Sequence, residues 1–237
     1  MAHLTYRSSR RTFLRLLLAS GLAAPLLGAC MSAGIIAQGV RRLKGELTAN
    51  GRRLKEGEVI PADALLETGR KSQALIVVGK DAMLLRENSR VQLHGHLLAA
   101  ADETKLPPIP AGITGFLLQS GAALSVFAPG GRQIKTPEVT VAIRGTGVYL
   151  EKMRAGSYVC TCYGRADLIP TGREEAMESV QTFHHESPRF VKPAADQPLT
   201  KAPVFNHTDA ELIMLEELVL RRPPFVDAFG NVSGGAY

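Results

Sequence analysis

The chain has 237 residues, a formal net charge of +6, 45% hydrophobic residues, 23 glycines, 14 prolines, no tryptophan and three cysteines. Three cysteines exclude a disulfide framework of the kind that holds small secreted domains together. Arg7, Arg10, Arg11 and Arg15 lie within the first 29 residues, which carry no acid; without them the balance is +2, which argues against a dedicated nucleic-acid surface.

The first thirty residues predict an export address. Ser9-Arg10-Arg11-Thr12-Phe13-Leu14-Arg15 follows the twin-arginine pattern, with Arg10 and Arg11 as the defining pair. The apolar stretch from Leu16 to Leu27 is shorter than the roughly 20 residues that span a bilayer core, and its flanks are those of a signal peptide. It ends in Leu27-Gly28-Ala29-Cys30, a lipobox, in which Cys30 is the acylation site. A plain amphipathic helix, or cleavage at another small residue without lipidation, is the competing reading. Two or more acyl chains on one residue anchor a protein stably. Met31, in place of aspartate, points to the outer membrane. The expected partition is a signal peptide over 1–29, a tether over 30–41, a β-domain over 42–169 and a C-terminal extension over 170–237.

From Arg42 onward short apolar runs alternate with turn residues. Ala74-Leu75-Ile76-Val77-Val78 meets Ala82-Met83-Leu84-Leu85 across Gly79-Lys80-Asp81, a hairpin signal. Prolines at 107, 108 and 110 break the pattern over 99–112. Strands resume at Gly115–Gln119 and Ala123–Phe127. Val139, Val141 and Ile143 then alternate with Thr140 and Ala142, the period of a half-buried strand. Val159–Tyr163 and Ala166–Ile169 follow. About ten short strands predict an all-β fold, a roll, short solenoid or sandwich. One helix is expected, over 208–222. Thr208 and Glu211 form a capping box, Leu212, Leu215 and Val219 an apolar stripe, Arg221 and Arg222 suit the negative helix end, and Pro223-Pro224 stops it.

The β region resembles the FecR domain, the extracytoplasmic domain of regulators that relay iron–siderophore signals. The resemblance spans about Gly45 to Ile169. It rests on Asn50-Gly51, Gly57-Glu58-Val59-Ile60, Leu66-Glu67-Thr68-Gly69, Lys71-Ser72-Gln73-Ala74, Gly121-Ala122-Ala123-Leu124-Ser125-Val126, Ile134-Lys135-Thr136-Pro137 and Val141-Ala142-Ile143-Arg144-Gly145-Thr146. Arg144-Gly145-Thr146 before a strand is the most specific piece. The resemblance implies a FecR-like β-roll, solenoid or sandwich and a binding or signalling role in the envelope. The chain departs from that family's regulators in having an export signal where they carry a cytoplasmic anti-sigma segment. Direct control of a sigma factor is therefore not expected.

Cys160-Thr161-Cys162 and His184-His185 are the residues with chemistry to offer. Positions i and i+2 of a strand share a face, and two thiolates with two imidazoles form a donor set for a transition metal. Two other states of the cysteines stay open: buried free thiols and a strained mutual disulfide. The histidines also fit a solvated loop before Glu186-Ser187-Pro188. His94-Gly95-His96 and the carboxylate pairs Glu56/Glu58, Asp102-Glu103 and Glu174-Glu175 read as turn and surface. No phosphate-binding glycine loop and no Ser-His-Asp arrangement stands out. The expected function is non-catalytic: an envelope lipoprotein on the periplasmic side, held to the membrane by its lipid, whose β-domain binds a partner protein, a surface polymer or a metal species in signalling or envelope assembly. The alternative is a metal or redox protein using Cys160, Cys162, His184 and His185.

Overall fold

The computed structural model describes residues 36–97 and 110–233. Arg10, Arg11, Cys30, most of the tether and most of the proline-rich break lie outside the described residues. Sixteen strands are present among those described: β1 (Gly39–Lys44), β2 (Leu47–Ala49), β3 (Arg52–Arg53), β4 (Leu65–Thr68), β5 (Gln73–Val78), β6 (Asp81–Leu85), β7 (Arg90–Leu97), β8 (Pro110–Ser120), β9 (Ala122–Val126), β10 (Gly131–Thr136), β11 (Val139–Arg144), β12 (Gly147–Met153), β13 (Gly156–Pro170), β14 (Glu178–Thr182), β15 (Arg189–Val191) and β16 (Leu199–Lys201). One α-helix, α1 (Asp209–Leu218), follows. The fold is all-β as expected, with more strands than the ten or so expected; Val159–Tyr163 and Ala166–Ile169 belong to one long strand, β13, and strands run on past residue 169. No helix among the described residues is long and apolar enough to cross a membrane.

The strands form one curled sheet, hydrogen-bonded in the order β1-β5-β6-β9-β12-β13-β11-β10-β8-β7-β4-β2-β3. β13 is its corner. Its first half pairs with β12 and β15, and its second half with β11 and β14. The sheet thus folds into two walls: a front wall from β1 to the first half of β13, and a back wall from the second half of β13 to β3. Gly164 makes the bend with φ +90, and a Cβ there would meet the Gly145 carbonyl oxygen and Thr146 at 3.0 Å. The Thr146 hydroxyl donates to the Arg165 carbonyl at 3.1 Å. Arg144-Gly145-Thr146 is therefore part of the corner, a structural role.

Between the walls lies the main core. Ala74, Ile76, Met83, Leu85, Val148 and Leu150 come from the front, and Leu66, Leu93, Phe116, Val139, Val141 and Ile143 from the back. β11 alternates buried and half-exposed residues because only one of its faces is covered. β5, β6 and β9 are buried almost continuously, because a second core covers the outer face of the front wall. There Leu75, Leu84, Leu124, Tyr149, Tyr158, Cys160 and Cys162 cluster with Leu212, Leu215, Val219 and Phe225. Burying one such Leu or Phe side chain contributes about 1.5–3 kcal/mol.

The capping box of α1 is present: the Thr208 side chain accepts from the Glu211 amide, and the Glu211 carboxylate accepts from the Thr208 amide. The helix stops before the expected residue 222. Leu220 takes a left-handed conformation, φ +58. Its N–H donates to the Glu217 carbonyl, and the Arg221 N–H donates to that of Glu216, the paired bonds of a Schellman ending. Arg221 lies beyond the helix, where its guanidinium grips the buried Glu216 at 2.6 Å.

Candidate metal centre

The extended backbone of β13 places Cys160 and Cys162 side by side on the outer face of the front wall, both fully buried. The chain leaves β14, which pairs with the second half of β13, and enters β15, which pairs with the first half. The turn between them, residues 183–188, must cross the middle of β13. Glu186 fixes it by accepting from the amides of Phe183 and His184 at 2.7 and 3.0 Å. His185 has φ +59, and its amide donates to the Cys162 carbonyl at 2.9 Å. This positive φ turns the imidazole inward over Cys160. The third contributor is the turn before α1, where Asn206 has φ +60 and His207 is buried.

Cys160, Cys162, His185 and His207 each present one donor atom, and these four atoms lie within 4.8 Å of one another. The Cys160 sulfur is 3.3 Å from His185 Nδ1, and His207 Nε2 is 3.2 Å from the same nitrogen. A tetrahedral zinc ion with bonds of about 2.0–2.3 Å requires donor separations of about 3.3–3.8 Å. The two measured distances fit. The cysteines are unbridged. With the cysteines at 0% exposure, His185 at 3% and His207 at 6%, the centre is closed to solvent.

Hydrogen bonds around the rings decide which nitrogens point inward. His185 Nε2 lies 3.1 Å from Asp209 Oδ1, and His207 Nδ1 lies 2.7 Å from the Phe205 carbonyl oxygen. Carboxylate and carbonyl oxygens only accept, so both outer nitrogens carry the proton. In neutral rings, the form that binds a metal, His185 Nδ1 and His207 Nε2 then offer their lone pairs to the site. Outer N–H groups donating to a carboxylate and a carbonyl are the usual support of metal-bound histidines. His207 is further held by the Tyr149 ring, stacked at 4.6 Å and 14°.

The thiols divide their charge unequally. Burial opposes ionisation of Cys160, but hydrogen bonds from Cys162, His185 and His207 outweigh it and hold that thiol well below the ordinary range. Burial and the neighbouring Cys160 push Cys162 well above it. Burial also works against a charged His185, yet contact with Cys160 and Asp209 raises it overall. One thiolate is stable in this environment, and a second one calls for a cation.

Of the four residues singled out in the sequence, the structure brings Cys160, Cys162 and His185 together. His184 is near them, but its Nε2 is directed at Asp209 Oδ1, 2.8 Å away, and its ring stacks on Phe225 at 4.3 Å. His184, His185 and Asp209 form a second, overlapping group of possible ligands. The fourth member of the compact set is His207, which sequence reasoning missed; its only local signal is its place just before the capping box. His94 is exposed on β7, and Glu58 and Glu175 pair with Arg52 and Arg173 on the surface. An open trough of about 520 Å³, whose wall includes Arg86, Tyr149, Glu151 and Asn206, lies beside the centre.

No protein-family model matches the chain, and no curated protein matches it. Two crystal structures of candidate anti-sigma factors from Parabacteroides distasonis ATCC 8503 are similar in part. One shares 11% identity at a TM-score of 0.42, covering 72% of this chain and 82% of that one. The other shares 8% at a TM-score of 0.42, covering 62% and 70%. A likeness of this size leaves the functional reading to the residues themselves.

Proposed function

We propose that this chain is an exported, non-catalytic β-domain protein that carries one transition-metal ion, zinc by its chemistry, on Cys160, Cys162, His185 and His207. The observation that carries this reading is the convergence of four buried donors from three separate segments, with both outer ring nitrogens already engaged. Two thiolates and two imidazoles suit a borderline-soft ion. Four protein donors in a closed site match structural zinc, because catalytic sites keep a position open. A redox exchange role for the cysteines is less favoured, since both lie fully buried under the cap and a partner thiol needs access.

The export signal at Arg10 and Arg11 and the lipobox at Cys30 support delivery across the membrane and anchoring there by lipid. The FecR resemblance supports a role for the β-domain in binding an envelope protein or polymer. The test is elemental analysis and native mass spectrometry of the purified full chain. One zinc per chain is expected, lost in Cys160→Ser and Cys162→Ser. A protein that is purified without metal and takes up none on titration with zinc refutes the proposal.

A further inference from the structure

The donors divide between two parts of the chain. Cys160, Cys162 and His185 belong to the β body. His207 belongs to a cap, residues 202–233, which follows β16 and contains α1. Asp209, also of the cap, reaches back to both His184 and His185. The cap is held in addition by an apolar seam, in which Leu212, Leu215 and Phe225 join the cluster of Leu84, Leu124 and Tyr163. Arg86 pairs with Glu211 at 2.7 Å, and Tyr163 donates to Glu216.

The centre of this seam is polar. His185 Nδ1 and His207 Nε2 face each other at 3.2 Å beside the Cys160 sulfur, and the other nitrogen of each ring is engaged outward. A cation bound here engages all four donor atoms at once, and it can do so only while the cap is closed. Closing the cap supplies the fourth donor, and opening it removes His207 together with the support that Asp209 gives His185.

Resting on the metal reading above, we propose that the ion is a latch: it joins the cap to the β body, and its loss loosens the cap while the two-walled body stays folded. The body does not depend on the ion, because its main core between the walls contains none of the donors. The cap depends on it, because the only donor it contributes is the one that completes the set.

Amide hydrogen exchange on the full chain tests this, comparing protein stripped by a chelator with the same protein in zinc at a hundredfold its measured Kd. A ligand that requires the closed form shifts the closed-to-open ratio by 1 + [L]/Kd, so exchange over 209–218 slows by about a hundredfold. Exchange over β11 stays unchanged. In His207→Ala the difference at 209–218 disappears. Stoichiometric zinc uptake with no added protection of 209–218, or with equal protection of β11, overturns the latch and leaves the metal site standing. Failure to take up zinc overturns both.

Discussion

His207 and His184 are both buried beside the cysteines, and replacing each in turn separates a ligand from a neighbour. His207→Ala removes one of four donors. Structural zinc is held by about 10–16 kcal/mol at neutral pH, so one donor in four is worth about 2.5–4 kcal/mol, or about 10²–10³-fold in affinity. His184→Ala leaves the four donors in place. It removes a ring stacked on Phe225 at 4.3 Å and one of two donors to Asp209. The cavity left by such a ring costs about 2 kcal/mol of stability, and zinc affinity falls by less than about tenfold. The assay is competition for zinc against a chromophoric chelator, with denaturant unfolding of the metal-free variants to separate affinity from stability. If His184→Ala weakens zinc binding as much as His207→Ala, or if His207→Ala binds like the parent chain, the assignment of donors is wrong.

Asp209→Asn keeps the shape of the side chain and removes the charge that holds His185 Nε2–H; zinc affinity should fall about 10–100-fold in the same competition assay. Arg132→Ala should destabilise the body by about 3 kcal/mol in denaturant unfolding, because it strips the cation from Asp81, whose side chain is fully buried. Burial raises the Asp81 carboxyl above its ordinary value, against the Ala128 amide and Arg132. Its charged form is therefore the costly one. That cost is present above the folded-state value and is relieved as pH falls through it, so the deficit of Arg132→Ala should shrink in mild acid; a deficit that grows in acid contradicts this. Lysine at both Arg10 and Arg11 should leave the precursor in the cytoplasm, and Cys30→Ala should release the processed protein from the membrane fraction; cell fractionation checks both.

The sequence by itself determined what depends on near neighbours. Period-two alternation at Val139, Val141 and Ile143 marks a strand with one covered face, and Thr208 with Glu211 marks a helix start, because both signals are local geometry. The same period places Cys160 and Cys162 on one face of β13. Other features depend on residues far along the chain. Ala74–Val78 reads as a strand in either case, but its burial on both sides is decided by a cap more than a hundred residues later. Of the adjacent His184 and His185, no pattern selects the second; the positive φ of His185 and the path of its turn across β13 do so. His207 enters the set only because α1 docks on the front wall. A metal centre of this kind is assembled by long-range register. β13 spans both walls, so the segments that pair with its two halves, and the turn between them, must converge over its cysteines.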